Sequence, residues 1–247
     1  MRQLSTDRPD KTESAYTLDA GHFQSEMDLV SYTRDHDTSG GGDTRTDLLA
    51  VAPVNLKIGL LNKLDFQVVL ESYNHGRVSD HAAGTVQTMS GFGDVTTRLK
   101  LNFWGNDGGT TAFAAIPLVK FPSNQDNLGN SAVEGAVLFP LAVQLPRGWD
   151  LAPMAGVAFL RDENNERYHA SFINSITFGR ELFGKLDGYA EFFSEVSTEQ
   201  GSGWIGTADF GVTYELTPNI QLDAGINIGV TKAAPDFNPF VGLSWRF

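Results

Sequence analysis

Residues 204–230, with the sequence WIGTADFGVTYELTPNIQLDAGINIGV, alternate apolar and polar side chains on both sides of the break TPN. In the first half, Phe210 and Tyr214 fall on one face and Asp209 falls on the other. A period of two over this length indicates β-strands with two chemically different faces. Because the Pro-containing break separates two such runs, the segment predicts a β-hairpin of two long strands.

The same alternation recurs along the chain between breaks rich in Gly, Asn, Asp or Pro. The predicted strands number about twelve. An even number of antiparallel strands is what a single-chain bacterial membrane barrel requires. The connections alternate between short turns and longer loops such as residues 74–91, which predicts short periplasmic turns and longer extracellular loops. The predicted strands are residues 22–34, 44–58, 64–73, 92–104, 110–121, 132–145, 149–161, 167–178, 186–196, 204–216, 220–230 and 237–247.

The apolar runs are far shorter than the roughly 20 residues that a membrane helix needs. Aromatic residues cluster near the ends of the predicted strands, as in the two interfacial girdles of a membrane barrel. Residues 237–247, FNPFVGLSWRF, keep one face apolar as far as Phe247. We therefore predict an all-β, up-and-down transmembrane barrel whose last strand pairs with its first. A soluble sandwich or lipocalin-like barrel is the alternative with the same alternation.

Composition limits the partners and the location of the chain. The 30 acidic and 18 basic residues give a formal net charge of -12, which argues against nucleic acid as a partner. Cysteine is absent, so there is no disulfide framework and no thiolate chemistry. The first residues, MRQLSTDRPD, lack the apolar segment of a signal peptide. Either the protein is cytosolic, or its signal has been removed. We expect the second, a mature chain in the outer membrane of a Gram-negative bacterium and in contact with lipid and lipopolysaccharide.

If the apolar faces contact lipid, the alternate residues line the barrel lumen. An apolar sector is unlike a water-filled general porin, and it favours either passage of hydrophobic solutes or packing against a plug. The sequence leaves both readings open. The predicted apolar wall consists of Ile116, Leu118, Leu138, Met154 and Leu160. The predicted charged lining consists of Asp94, Arg98, Lys100, Glu134, Asp187, Glu191, Asp209, Glu215, Asp223 and Arg246.

Residues 1–21 are polar and rich in turn-forming residues, whereas the predicted barrel occupies residues 22–247. We expect this N-terminal segment to be periplasmic or to fold into the barrel as a plug. Because buried charges need partners, a salt-bridge network that fills a narrow barrel is an equal alternative to an open lumen. The candidate plug residues are Asp7, Arg8, Asp10 and Glu13.

His169 and Ser171 lie two residues apart in the sequence YHASF and share one face of a strand. A base and a nucleophile of an outer-membrane lipid hydrolase could have this spacing. However, Tyr168 and Phe172 occupy the lipid side, so the pair is predicted to point into the lumen. Since no third group that would orient the histidine is identifiable, we predict ordinary lumen residues and no enzyme.

The loop DHDTSGGGDTRT, residues 35–46, carries Asp residues at alternate positions, partly as a calcium-binding loop does. Thr46 stands where such a loop needs a bidentate Glu, so a solvated acidic loop is favoured. The histidines show no paired metal-ligand spacing, and no nucleotide-binding glycine motif opens a helix. We predict no metal and no cofactor.

The opening LSTDRPDKTESAYTLDAGHFQSE, residues 4–26, resembles the start of an outer-membrane family named for transport in the phenol-degradation meta pathway. The shared elements are Thr-Asp-Arg-Pro-Asp at 6–10, Thr-Glu-Ser at 12–14 and Gly-His-Phe-Gln at 21–24. Along the rest of the chain the resemblance is architectural, including GFGDVTTRLK at 91–100 and the aromatic terminus.

The resemblance implies an outer-membrane barrel that admits hydrophobic or aromatic compounds, with a C-terminal strand recognised by the outer-membrane assembly machinery. We therefore expect a channel for passive uptake of such solutes through a partly apolar lumen. The alternatives are a lipid hydrolase that uses His169 and Ser171, and a structural barrel with a closed lumen whose loops bind a partner.

Overall fold

The computed structural model describes residues 1–162 and 165–247, and almost all of its regular structure is β-strand. Within these residues, no helix is long and apolar enough to cross a membrane. A short 3-10 turn covers Ser39–Gly41. The strands are β1 Phe23–Asp37, β2 Thr44–Val51, β3 Val54–Leu61, β4 Leu64–Leu70, β5 Tyr73–Asp80, β6 Thr85–Gly91, β7 Val95–Trp104, β8 Thr111–Phe121, β9 Glu134–Leu145, β10 Trp149–Arg161, β11 Tyr168–Phe183, β12 Leu186–Ser197, β13 Ile205–Thr217, β14 Ile220–Gly229 and β15 Phe237–Arg246.

All these strands belong to one antiparallel sheet, which closes because β15 pairs with β1. Three crossings of the barrel wall are interrupted, and each consists of two consecutive strands. These are β2 and β3, β4 and β5, and β6 and β7. The sheet is therefore a barrel of twelve crossings, as the sequence predicted. Among the described residues, every strand except the extracellular β6 has a paired neighbour on both sides, and such closure is the condition for a sheet that lies in lipid.

The crossing formed by β2 and β3 is interrupted at Ala52 and Pro53. Ala52 adopts a positive φ of 54°, and Pro53 has no N–H to donate to a ladder. On the extracellular side of this break β1 pairs with β2, and on its periplasmic side β1 pairs with β3. The extracellular halves of these crossings, β2, β5 and β6, can therefore extend the sheet beyond the part of the barrel that β7 and β8 close.

The prediction that residues 74–91 form a long loop was wrong. Most of this stretch forms β5 and β6, which pair from Asn74 with Gly91 to Asp80 with Thr85. Polar residues such as Arg77, Thr88 and Ser90 interrupt the expected apolar row. The alternation is lost where strands rise above the lipid, so the strands carry no hydrophobic period there.

The barrel is apolar outside and mostly polar inside. Leu56, Phe103, Phe159 and Phe210 are between 46% and 54% exposed on the outer face. The largest fully buried side chains include Lys100, Gln67, Asn102, Asp65 and Asp94. At the seam, the rings of Phe23 and Phe247 stack 5.8 Å apart, and their backbones exchange two hydrogen bonds of 3.0 Å.

Candidate functional site: the barrel lumen

The N-terminal segment, residues 1–22, runs through the lumen and contacts inward-facing groups on most of the wall. Its polar partners lie on β1, β3, β4, β7, β11, β12, β13, β14 and β15. Its apolar contact is with β8, where Ala15 packs against Ala112 and Ala114. The segment is therefore attached around the circumference of the barrel rather than to one side.

Asp7 lies at the centre of the strongest charge cluster. One carboxylate oxygen lies 2.5 Å from the Lys57 ammonium, and the other pairs with the Lys100 ammonium. Lys57 also pairs with Glu26, whose carboxylate accepts the Asp7 backbone N–H at 2.9 Å. The side chains of all four residues are at most 5% exposed, so each buried charge has an opposite charge beside it.

Arg8 extends the network along β1 and to the nearby strand β14. Its Nη2 lies 2.7 Å from Asp28 Oδ1 and 2.7 Å from Asp223 Oδ1, and its Nε donates to Asp223 Oδ2 at 3.1 Å. The guanidinium lies 5.7 Å from the centre of the Phe240 ring. Gly242 leaves the necessary space, because a Cβ built there would overlap the Arg8 guanidinium.

The next residues of the segment bind the acidic wall formed by β12 and β13. Glu191 accepts hydrogen bonds from the backbone N–H groups of Lys11 and Thr12, both at 2.8 Å. The Lys11 ammonium lies 3.2 Å from Asp209 Oδ2. Glu13 pairs with Arg98 on the other side of the lumen. Lys11 and Glu13 thus each meet a wall group of opposite charge.

An apolar cavity of about 300 Å³ lies at the extracellular end, above the N-terminal segment. Its apolar lining is Leu118, Ala136, Leu138, Ala158, Leu160 and Ile173, and its polar lining includes Lys120, Asn130, Glu134 and Glu195. Ile116, Leu138 and Met154 form a buried cluster that adjoins this cavity. The Glu13 backbone N–H approaches Met154 Sδ at 3.5 Å, so the N-terminal segment lies against this cluster.

Two further cavities, of about 450 and 720 Å³, lie at the periplasmic end and are more polar than the first. Leu18 and Tyr16 line the first, and Asp10, Asp187 and Glu215 line the second. Both cavities are also lined by Gln3 and Ser5 of the N-terminal segment. The segment therefore lies between the apolar extracellular cavity and the polar periplasmic ones.

Three predicted lining residues bind loops and turns at the ends of the barrel, and one of them, Arg246, also donates to the Gln3 carbonyl of the segment at 3.3 Å. Asp94 is buried beneath the loop 122–133, where it accepts the Asn130 backbone N–H at 2.6 Å. Glu134 accepts the Arg161 backbone N–H at 2.8 Å. Arg246 donates to Asn219 Oδ1 at 2.8 Å. These contacts hold loops and turns at the two ends of the barrel.

His169 and Ser171 bind different carboxylates in the structure. His169 Nδ1 lies 2.8 Å from Asp162 Oδ1, and this hydrogen bond lowers the pKa of the Asp162 carboxyl group. The Ser171 hydroxyl donates to Glu195 Oε1 at 2.6 Å and is fully buried. Among the hydrogen bonds of residues 1–162 and 165–247, none joins His169 to Ser171 directly.

Sequence reasoning did not identify several lumen residues that the N-terminal segment binds. These residues are Glu26, Asp28, Lys57 and Asp65 on the wall, and Lys11 in the segment itself. Lys57 stands between apolar Leu56 and Ile58, so the same alternation that revealed the acidic wall could have revealed it. Asp65 accepts the Leu18 backbone N–H at 2.9 Å, a contact that sequence patterns do not indicate.

Solved structures of outer-membrane barrels have the same fold at low sequence identity. The COG4313 outer membrane channel from Pseudomonas putida F1 matches with a TM-score of 0.67 and 16% identity, over 94% of this chain and 98% of that one. The TodX monoaromatic hydrocarbon channel deltaS2 mutant matches with a TM-score of 0.52 and 12% identity, over 94% and 91%. The translocator domain of the autotransporter NalP from Neisseria meningitidis matches with 0.59 and 12%, over 92% and 89%.

These neighbours include both channels and an autotransporter, so the shared fold does not by itself define what passes through the lumen. The closed barrel and its neighbours locate the chain in the outer membrane of a Gram-negative bacterium. No curated protein matches the sequence. The family described as "Putative MetA-pathway of phenol degradation" matches residues 6–247, and the chain therefore belongs to that family.

Proposed function

We propose that the protein is a passive channel for small hydrophobic or aromatic compounds, with residues 1–21 as a plug that moves during passage. The observation that carries this proposal is the apolar cavity of about 300 Å³ at the extracellular end of the lumen. Ligand pockets of roughly 300–1,000 Å³ with mostly apolar walls and a few polar groups are typical of small-molecule sites. The neighbouring monoaromatic hydrocarbon channel is consistent with such a cargo.

A solute would enter from the extracellular side, where Lys120, Asn130 and Glu134 line the cavity. Leu138 and Leu160 then offer an aliphatic surface that a hydrophobic solute prefers to water. The plug lies between this cavity and the periplasmic cavities. Passage therefore requires that the plug shift within the lumen or leave it.

The plug is suited to movement because charge pairs and hydrogen bonds hold most of it. Taking two charges out of water costs much of what their attraction returns, so a buried ion pair adds little net stability. When the plug undocks, its charges and those of the wall regain water. Its apolar anchor around Ala15 is small, since the wall residues of that cluster are Ala112, Ala114 and Ala142.

A substitution in the cavity tests this function. Ala158→Trp fills the apolar cavity from β10, whereas Ala170→Trp places the same side chain on the lipid face of β11, opposite the exposed Phe159. We expect liposomes with the wild-type protein to take up toluene-like solutes faster than empty liposomes. The Ala158 variant should lose most of this uptake, and the Ala170 variant should keep it. Equal uptake by empty and protein-containing liposomes would defeat the channel proposal.

The contact between Asp162 and His169 keeps a lipid hydrolase as a second candidate, because a carboxylate that orients a histidine is part of such a site. We expect Ser171→Ala to leave lipid-ester cleavage at background level, equal to that of the wild type. Cleavage by the wild type that disappears in the Ser171 variant would favour the hydrolase. A barrel with no conductance before or after removal of residues 2–18 would favour the closed structural barrel.

We also propose two sets of partners for the barrel surface. The exposed apolar outer face suits lipid and the lipid part of lipopolysaccharide. The terminal strand β15, which forms the seam with β1, is the proposed element that the assembly machinery recognises. Its aromatic end at Phe247 supports this role through the resemblance of the sequence to its family.

A further inference from the structure

The sheet extends on the extracellular side through the end of β1 and the strands β2, β5 and β6. The outer face of this extracellular extension carries a cluster of two imidazoles and one carboxylate. His36 lies near the end of β1, Asp43 lies in the loop before β2, and His81 directly follows β5. Asp43 continues the outward row that begins at the exposed Leu49 and alternates through Asp47 and Arg45. The side chains of the three residues are between 42% and 54% exposed. Strand pairing has therefore brought three distant positions to one accessible surface.

The three possible ligand atoms converge closely. His36 Nε2 lies 2.7 Å from Asp43 Oδ1, and His81 Nδ1 lies 3.0 Å from the same oxygen. All three atoms lie within 4.8 Å of one another, and the two rings stand nearly perpendicular, with centroids 6.5 Å apart. Hydrogen bonds from His36 and His81 hold the pKa of Asp43 below its ordinary value, so the carboxylate is ionised.

Backbone contacts fix this arrangement. The His81 N–H donates to the Asp43 carbonyl at 2.8 Å, beside the pairing of Thr44 with Asp80. The nearest outward cation in the same rows is Arg45, which is engaged with Asp47 at 2.8 Å. The guanidinium therefore points toward Asp47 and leaves the cluster to its own carboxylate.

We propose that His36, Asp43 and His81 form a binding site for a divalent transition-metal ion such as Zn²⁺, Ni²⁺ or Cu²⁺. Two imidazole nitrogens and a carboxylate oxygen are donors that these ions accept, with water in the remaining positions. Metal–ligand bonds of about 2.0–2.2 Å put neighbouring tetrahedral ligands about 3.3–3.6 Å apart. The two nitrogen–oxygen distances therefore need to lengthen by about 0.3–0.9 Å from their hydrogen-bonded values for the three donors to hold a metal ion.

The site joins the end of β1 to the end of β5 across β2. In the described registers β6 pairs only with β5, so the β5–β6 hairpin is attached to the sheet along one side. A bound ion would stiffen this hairpin near its turn, because His81 directly follows Asp80, which pairs with Thr85. Sequence spacing did not indicate the site, because positions 36, 43 and 81 meet only through the pairing of β1, β2 and β5.

The test uses the whole protein without a histidine tag, purified in detergent and stripped with a chelator. Zn²⁺ affinity is measured by competition with a chromophoric chelator, and Co²⁺ absorption reports the ligand geometry. We expect one ion to bind. His36→Ala and His81→Ala should each weaken binding by about tenfold or more, since even changes outside the ligand shell cost about that much. Acidification should weaken binding as well, because metal-bound imidazoles must lose their protons.

Two matched variants control for other histidines. His75→Ala removes an outward imidazole from the same strand β5, and His169→Ala removes the imidazole of the second cluster, with Asp162 and Glu199. Both should bind Zn²⁺ as the wild type does. Zn²⁺ should also slow amide hydrogen exchange in residues 73–91 of the wild type but not of His81→Ala. Binding lost only in His169→Ala, or no binding at micromolar Zn²⁺, would overturn the proposal.

Discussion

Replacing Asp7 by asparagine removes one negative charge from the lumen while keeping the shape of the side chain. Lys100 then loses its ion pair with Asp7, whereas Lys57 keeps its pair with Glu26. Removing one member of a buried pair costs about 3–5 kcal/mol. This cost falls on the docking of the N-terminal segment rather than on the barrel, because the strand ladder closes without residues 1–22.

A single cysteine can report the docking, because the chain has none of its own. Ala15 is 1% exposed and packs against Ala112 and Ala114, so an Ala15→Cys thiol reacts with a water-soluble maleimide only when the segment undocks. When redocking is fast, the labelling rate follows the undocked population. A cost of about 3–5 kcal/mol corresponds to a rise of roughly 100- to 4,000-fold. We expect the lower end for Asp7→Asn, since Lys57 retains a partner.

The matched control is Asp107→Asn in the same cysteine background. Asp107 also pairs with a cation of the segment, Arg2 at 3.3 Å, but its side chain is 75% exposed. Exposed pairs contribute about 0–1 kcal/mol, so labelling should rise by less than about fivefold. A similarly small rise in the Asp7 variant, with the barrel still heat-modifiable on a gel, would refute the view that this cluster holds the plug.

Other substitutions test the remaining plug contacts and the terminal strand. Adding Lys100→Met to the asparagine variant should restore slow labelling, because replacing both members of a buried pair is often neutral; labelling that stays fast would contradict this. Gly242→Ala should speed labelling, since its Cβ would displace the Arg8 guanidinium, and wild-type labelling would show that Arg8 is dispensable. Phe247→Ala should lower the yield of heat-modifiable barrel in bacteria more than the lipid-facing Phe139→Ala, and equal yields would argue against recognition of the terminus.

The barrel was predictable because alternation of side chains is a local property of each strand that crosses lipid. The prediction failed where strands leave the lipid. In β5 and β6 the outward positions include Arg77 and Thr88, which face water or lipid headgroups rather than hydrocarbon. Without an apolar face there is no period to detect, so this hairpin resembled a loop.

The sequence also predicts which residues line the lumen, but it does not indicate the partners of their charges. Alternation gives the face of a residue, whereas partners depend on the path that a segment without regular structure takes through the barrel. Arg8 and Asp223 are 215 positions apart, and Thr12 and Glu191 are 179 apart. Hydrogen bonds that backbone N–H groups donate, such as that from the Leu18 N–H to the Asp65 carboxylate, carry no sequence signal at all.

The circumferential attachment of the N-terminal segment has a consequence for the order of assembly. The segment is synthesised before the strands of the barrel, yet Asp223 belongs to the last strand but one. Contacts over such sequence separations form late, because the intervening chain must first be ordered. Until the final hairpin joins β1, the segment and the future lumen both remain hydrated and unbalanced in charge. A segment that is made before the barrel strands is therefore the last to find its place.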